Sequence, residues 1–324
     1  MTTGSDAPLT TRQDLLDAVE RVRPFARRTP VLDLSDVAGR SLLLKCEHHQ
    51  PGGAFKIRGA SNTIAALSPD ALRRGVVTYS SGNHGQAVAL AAQRAGAPAV
   101  IVMPTTAPAI KIAGVKRWGG EVILEGTTSA DRKTRAEAEA AARGLTMVPP
   151  FDHAMVIAGQ GTCALEILEQ VPDVGTIVVP VGGGGLLSGV AAAVKLTKPS
   201  VQVIGVEPAG AAKMSASLAA GHPVTLDKTA SIADGLMPVR PGDLTFAHAQ
   251  KYVDAMVTVT DEQIANAALW LFYEAKQVVE PSGAATTAAV LSGLITTPGP
   301  VVVIVSGGNV SPATIGALEH REAR

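Results

Sequence analysis

Residues 176–195, TIVVPVGGGGLLSGVAAAVK, place an apolar run, four consecutive glycines and an alanine-rich segment in immediate succession. The run Thr176–Val181 has the β-branched composition of a buried strand, and Leu186–Lys195 has that of a helix. Because glycine has no Cβ, the backbone N–H groups of Gly182–Gly185 can turn toward one point, and the helix adds its positive end. The stretch predicts a phosphate-binding loop. A flexible turn is the alternative, but a turn would not need four glycines, which cost conformational entropy on folding.

Short β-branched runs and alanine-rich helical patterns alternate along the rest of the chain. Further strands are predicted at Ser41–Cys46, Val76–Ser80, Ala99–Met103, Glu121–Leu124, Gln202–Val206 and Val301–Val305. Further helices are predicted at Gly85–Ala95, Ala109–Trp118, Ala130–Arg143, Asp261–Lys276 and Gly283–Ile295. Helix-capping boxes are predicted at Thr10 with Gln13 and at Thr260 with Gln263. The alternation predicts an α/β fold with an open, mostly parallel twisted sheet.

The composition excludes several classes of protein. A chain of 324 residues is long enough for about two domains. Lys and Arg together number 28, as do Asp and Glu, so the net charge is zero. This balance argues against a nucleic-acid partner and against docking to an acidic membrane surface. Apolar residues make up 46% and charged residues 17%, which excludes a disordered chain.

Neither the cysteines nor the uncharged stretches indicate a secreted or membrane protein. Cys46 and Cys163 are too far apart in sequence to suggest a disulfide framework or a shared metal cluster, which favours a reduced, cytoplasmic protein. Residues 1–11 are polar and contain no secretory signal. The uncharged stretches Val174–Val194 and Pro281–Leu318 are interrupted by proline and glycine. They therefore predict buried strands, turns and helices rather than membrane spans.

Residues 52–60, GGAFKIRGA, place Lys56 beside Phe55 and between glycines. A surface lysine at the start of a helix is the simpler interpretation of this spacing. However, a cation at a helix N-terminus is electrostatically unfavourable. A lysine that loses its charge as a Schiff base would avoid that cost. The spacing alone leaves both interpretations open.

Two polar segments follow predicted strands, where open α/β sheets bind their ligands. Ser80-Ser81-Gly82-Asn83-His84-Gly85 follows one strand and precedes a helix. Its hydroxyl, amide and N–H groups could bind a carboxylate, although a helix cap is the alternative. Four polar groups in a row exceed what a cap needs. Ser306-Gly307-Gly308-Asn309 follows another strand, and its composition suits a strand-ending turn and a ligand site equally.

In this combination and order, the four segments resemble those of pyridoxal-phosphate enzymes of fold type II, the tryptophan-synthase-β type. The serine/threonine dehydratases and serine racemases are the group in question. The resemblance extends from about Leu15 to about Leu318. It implies two domains: a large cofactor-binding domain of residues 1–66 and 151–324, and a small domain of residues 67–150.

The resemblance also implies roles for individual residues. Lys56 would hold pyridoxal 5'-phosphate as a Schiff base and act as the base at the substrate Cα, and Phe55 would pack on the cofactor ring. Asn83 would bond the ring hydroxyl, and Ser306 would meet the ring nitrogen. The phosphate would be bound by Gly182, Gly183, Gly184 and Gly185. The substrate carboxylate would lie among Ser80, Ser81, His84 and Arg132.

The implied reaction is the conversion of L-threonine and/or L-serine to a 2-oxo acid and ammonia, in a cytoplasmic homodimer or homotetramer. A serine racemase with side β-elimination and a 3-hydroxyaspartate dehydratase are alternatives. Ser81 favours the racemase, because racemases use this serine as an acid/base on the far face of Cα and would give it a catalytic role. Phe151-Asp152 instead follows the dehydratase pattern. A phosphate-binding module without catalysis is a third possibility from another class, and it would need no Schiff-base lysine.

Two positions depart from the family pattern. Ala54 stands where the family usually has serine, which removes one hydroxyl near the cofactor. Metal-dependent racemases carry an aspartate near the position of Lys213, paired with a glutamate that matches Glu207. A lysine cannot ligate a metal, so we expect no metal site here and predict that Lys213 pairs with Glu207. A solvated Lys213 on a helix is the alternative.

Overall fold

The computed structural model describes residues 8–80 and 82–322 of the chain. The strands are β1 Val31–Asp33, β2 Leu43–Lys45, β3 Val76–Tyr79, β4 Ala99–Met103, β5 Glu121–Leu124, β6 Thr146–Met147, β7 Thr176–Pro180, β8 Gln202–Pro208, β9 Ala255–Val259 and β10 Val301–Ile304. The helices are α1 Arg12–Val22, α2 Ser35–Ala38, α3 Lys56–Ala65, α4 Pro69–Arg74, α5 Asn83–Ala95, α6 Ala109–Arg117, α7 Ser129–Arg143, α8 Ala154–Gln170, α9 Gly185–Thr197, α10 Lys213–Ala220, α11 Asp243–Tyr252, α12 Asp261–Tyr273, α13 Pro281–Leu291 and α14 Pro312–Glu322.

The strands form two sheets. The six-stranded sheet has the order β1-β2-β10-β7-β8-β9, and the four-stranded sheet has the order β5-β4-β3-β6. Strands β1 and β2 are antiparallel, and the other described pairs are parallel. The prediction of an α/β fold with mostly parallel sheets is confirmed.

Both sheets are buried on both faces, which explains the uninterrupted apolar runs in their central strands. Ile177 and Val179 of β7 pack into one core of the six-stranded sheet, and Val178 packs into the core on the other face. In the four-stranded sheet, Val76 and Val77 of β3 likewise belong to different cores.

The predicted elements agree with the structure to within a few residues, but three strands and several helices, among them the 17-residue α8, were not predicted. The missed strands β1, β6 and β9 all lie at sheet edges. An edge strand is covered less completely, and the five residues of β9 are mostly exposed or half-buried. Its sequence therefore lacks the solid apolar run that marks a central strand.

One of the two predicted capping boxes is wrong. The box at Thr260 and Gln263 is confirmed at the start of α12. The first helix is capped by Thr11 with Asp14, one position after the predicted pair. Thr10 instead is buried, and its N–H donates to Nε2 of His248 over 2.9 Å. Within residues 8–80 and 82–322, no helix is both long enough and apolar enough to cross a membrane.

Candidate active site

The segments that carry the predicted site follow the carboxyl ends of three strands. The loop Gly182–Gly185 follows β7, and Ser306 follows β10, its neighbour in the six-stranded sheet. Ser80 follows β3 of the four-stranded sheet. Parallel strands end at a common edge, so the glycine loop and Ser306 lie on the same edge of one sheet.

Lys56 is the first residue of α3 and is held between these segments. Backbone contacts fix the residues before it: Phe55 N donates to Ser306 O over 3.0 Å, and Ala54 pairs with Gly307 in an isolated β-bridge. The Lys56 Nζ donates to the Pro150 carbonyl over 2.8 Å. Burial lowers the pKa of the Lys56 amine to about 8. A substantial fraction of this amine is therefore neutral near pH 7–8 and can act as a nucleophile or a base.

Asn83 lies at the centre of a polar cluster that joins three segments. Its Nδ2 donates to Glu280 Oε1 over 2.7 Å, and its Oδ1 accepts from Asn309 Nδ2 over 2.9 Å. Asn309 Nδ2 also donates to Gly52 O over 2.8 Å. The start of α5 is thereby connected to the residues just before Lys56 and to those just after Ser306.

Glu280 is a site residue that the sequence analysis missed. It is buried at the start of α13, and burial raises its pKa to about 7, with the nearby charge of Asp234 adding to the rise. The hydrogen bond from Asn83 opposes this shift. A signal was present in the sequence, because Glu280 is the last charge before the uncharged stretch that begins at Pro281.

The glycine loop is closely packed on its protein side. Thr245 Oγ1 donates to Gly183 O over 2.8 Å, and Gly184 has a φ of +98°. A Cβ on Gly183 would overlap the ring of Phe151, and one on Gly184 would press on Thr245. Both Cβ positions would therefore point into the protein.

The glycine loop lies at the N-terminus of α9, which is a typical place for an anion to bind. Gly184 is the N-cap residue and offers no side-chain cap to the first N–H groups of the helix. Unpaired N–H groups and the positive end of the helix dipole both favour an anion. The predicted strand–loop–helix unit is present with the glycines at the turn.

The residues predicted to bind the substrate carboxylate differ in their burial and in their hydrogen-bond partners. Ser80 is half-buried, and its Oγ accepts from Gly82 N over 3.2 Å. His84 is buried, and its Nε2 lies 3.0 Å from Val148 O, which can only accept. Burial, with the nearby Lys56 as a smaller cause, lowers the pKa of His84 to about 3, so its imidazole is neutral. Ser81 lies outside the described residues.

Within residues 8–80 and 82–322, no hydrogen bond or ion pair connects Arg132 with the other site residues. It is buried in the first turn of α7, where it donates to Thr127 O over 3.2 Å and to Ser129 Oγ over 2.9 Å. Its Nε is buried and has no hydrogen-bond partner. The structure therefore places Arg132 as a local contact of its own helix.

The donor set fits pyridoxal 5'-phosphate. An amine with a lowered pKa suits its aldehyde, the uncapped glycine turn suits its phosphate, and Asn83 and Ser306 offer neutral polar groups between them. A family model for pyridoxal-phosphate dependent enzymes matches residues 22–307. The chain belongs to this family. The prediction of family and cofactor is confirmed.

Relatives with different reactions match almost the whole chain. The L-threonine ammonia-lyase of Thermotoga maritima is 46% identical over 96% of this chain and 78% of its own length. The serine racemase of Oryza sativa subsp. indica is 45% identical over 91% of this chain and 89% of its own. The structure of maize serine racemase superposes with a TM-score of 0.92, at 40% identity, over 98% of both chains. These similarities support an amino-acid enzyme and leave its exact reaction open.

Proposed function

We propose that this enzyme is an ammonia-lyase that converts L-threonine and/or L-serine to a 2-oxo acid and ammonia. The observation that carries the proposal is Lys56, a buried amine with a lowered pKa, held between Pro150 and the Ser306 segment. Ammonia-lyases occur among its relatives. The proposal treats residues 67–150 as a small domain facing the cofactor domain, in a cytoplasmic homodimer or homotetramer.

The site residues have two proposed roles, which are binding the cofactor and transferring a proton. Lys56 would hold the cofactor through Nζ, the Gly182–Gly185 N–H groups would bind its phosphate, and Asn83 and Ser306 would bind its ring. When bound, the cofactor supplies an electron sink for the pair left on Cα. When Nζ is free of the cofactor, the neutral Lys56 amine would accept the Cα proton of an L-substrate. Ser306 carries no charge, so it stabilises a proton on the ring nitrogen less than a carboxylate would, which favours loss of the β-hydroxyl over transamination.

The substrate carboxylate would be bound at the start of α5. The first N–H groups of that helix have no carbonyl partner within it, and the helix dipole favours an anion there. Because the His84 imidazole donates to Val148, we assign its role to the main-chain N–H rather than to the ring. Ser80 and Ser81 would add hydroxyl groups, and Arg132 would reach the carboxylate only after leaving its present contacts in α7.

A serine racemase with side β-elimination is the second candidate, favoured by Ser81 in the sequence and by the racemases among the relatives. A panel of L-serine, L-threonine and 3-hydroxyaspartate on the purified holoenzyme separates the candidates. We expect a 2-oxo acid and ammonia in equal amounts and little D-enantiomer. A D-serine yield that exceeds the pyruvate yield would establish the racemase instead, and product from 3-hydroxyaspartate alone would assign that substrate.

A further inference from the structure

A cluster of metal-ligating side chains lies in the short turn that follows β2. Cys46, His48 and His49 each offer one ligand atom, and these atoms lie within 4.8 Å of one another. Sulfur and imidazole nitrogen are the ligands that zinc and similar transition metals prefer. The cluster is not among the residues assigned to the cofactor or the substrate.

Gln277 fixes which nitrogen of each imidazole carries the proton. Its Oε1 lies 2.9 Å from His48 Nε2 and 2.9 Å from His49 Nε2. Its Nε2 donates to Ala275 O over 3.2 Å, which orients the carbonyl oxygen toward the two rings. A carbonyl oxygen only accepts, so both Nε2 atoms carry protons and both Nδ1 atoms carry lone pairs. A metal-ligating histidine is oriented in the same way, by donating its other N–H to a fixed acceptor.

The lone pair on His48 is buried and unused. His48 is 8% exposed, and its Nδ1 has no hydrogen-bond partner. A buried polar atom without a partner costs about 1–3 kcal/mol, so such an atom needs an explanation.

We propose that Cys46, His48 and His49 bind a divalent transition metal of the Zn²⁺ class, at a site separate from the cofactor. Cys46 is fully buried, whereas His49 is exposed and provides the path of entry. Three protein ligands leave the fourth position of a tetrahedral ion to water. Gln277 acts as a positioning residue for both imidazoles.

Binding requires the Cys46 thiol to lose its proton. The metal displaces this proton, which passes to water.

The position of the turn connects the site to the cofactor-binding segment. His48 N donates to Val305 O over 3.0 Å, one residue before Ser306. A bound ion would therefore lie near the end of β10, which Ser306 follows. Its ligands would not include the residues assigned to the cofactor.

Titration of the purified holoenzyme with Co²⁺ in thiol-free buffer tests the proposal. We expect one equivalent to bind, with visible d–d bands and a thiolate-to-cobalt absorption in difference spectra, and Zn²⁺ to displace it. Cys46→Ser should abolish the thiolate absorption. His49→Ala, at an exposed position, should weaken binding by at least about 10–100-fold.

Cys163→Ser is the matched control, because Cys163 is also fully buried but belongs to no such cluster among the described residues. It should bind Co²⁺ as the wild type does. The proposal is overturned if no thiolate absorption appears, if His49→Ala binds as tightly as the wild type, or if Cys163→Ser loses the signal. Because His49→Ala is a surface change, it decides the question even if Cys46→Ser fails to fold.

Discussion

Lys213 Nζ lies 3.1 Å from Glu207 Oε1, and both side chains are completely buried. The ammonium also donates to the carbonyls of Val181, Leu236 and Ala211 at 2.8, 3.0 and 3.1 Å. The predicted pairing of Lys213 with Glu207 is confirmed, and the alternative of a solvated lysine is wrong. Because Val181 immediately precedes Gly182, this buried cation holds the base of the glycine loop.

Replacing Lys213 with aspartate should make cofactor retention depend on a divalent metal. The substitution removes the ammonium and leaves two carboxylates and three carbonyl oxygens around its former position. Oxygen ligands of this kind suit Mg²⁺ or Ca²⁺. In chelator the like charges should repel and loosen the loop. We expect Lys213→Asp to lose most of its cofactor on desalting in chelator and to keep it with Mg²⁺.

The wild type is the control for that experiment, and it should keep its cofactor and activity in both buffers. Loss of wild-type activity in chelator, with recovery in Mg²⁺, would show a metal requirement that the Lys213–Glu207 pair does not satisfy. If Mg²⁺ failed to restore cofactor retention in Lys213→Asp, the ammonium would have a role beyond supplying a positive charge.

Gly183→Ala should weaken cofactor binding without a direct clash with the phosphate. The new Cβ would overlap the Phe151 ring. Either the ring or the glycine loop must then shift, which would move the loop N–H groups relative to the cofactor phosphate. We expect the cofactor dissociation constant to rise about tenfold or more, equivalent to roughly 1.4 kcal/mol. Equilibrium dialysis measures it. Gly316→Ala, which meets no neighbour, is the control. Equal affinity in the two variants would contradict the role of Phe151.

Lys56→Ala should abolish turnover and leave the fold unchanged. In wild-type apoenzyme the rate of cofactor uptake should report the neutral Lys56 amine. With a pKa of about 8, the rate should fall about tenfold per pH unit below pH 8 and level off above it. Borohydride reduction of the holoenzyme should fix the cofactor to the peptide that contains Lys56. A rate that still climbs at pH ~10, or a label on another peptide, would show that Lys56 is an ordinary lysine.

The central strands could be predicted from sequence because burial on both faces leaves an uninterrupted apolar run. The central strand β4 has the predicted bounds, and the edge strand β5 was also predicted with its observed bounds. The edge strands β1, β6 and β9 could not be found this way, because β1 and β6 are only three and two residues long and most residues of β9 are exposed or half-buried. Edge strands are defined by the neighbour they pair with more than by their own composition.

The positions of Lys56 at the start of a helix and of the glycine loop between a strand and a helix were predictable, because each depends on a local motif. Glu280 was missed because its importance depends on Asn83, which is 197 positions away in the sequence. The metal-ligating turn was missed for a similar reason. His48 and His49 follow Cys46 closely, but their tautomers are fixed by Gln277, more than 220 positions later.

Ser81→Ala should separate the proposed elimination from any racemisation that accompanies it. Lys56 serves one face of Cα, so elimination from an L-substrate needs no donor on the opposite face and should largely survive. Racemisation needs that second acid/base and should vanish. The yields of 2-oxo acid and of D-serine measure the two. Loss of both to the same extent would mean that Ser81 binds the substrate carboxylate instead.

Glu280→Gln should stabilise the protein at neutral pH. The carboxyl pKa is raised in the folded state from 4.5 to about 7, mainly by burial, so folding takes up a proton between these pH values. The wild type therefore loses stability as pH rises from about 4.5 to about 7, by up to about 3 kcal/mol, and changes no further above that. Glutamine stays neutral and can still accept from Asn83.

The stability gain of Glu280→Gln over the wild type should thus grow across that pH range and level off above pH ~7. Denaturant unfolding at several pH values measures it, with the cofactor removed so that its binding does not contribute. Glu274→Gln, at an exposed position, is the matched control and should follow the wild type. Parallel stability curves for Glu280→Gln and the wild type would show that folding leaves the Glu280 pKa unshifted, and that the Asn83 hydrogen bond offsets the cost of burying its charge.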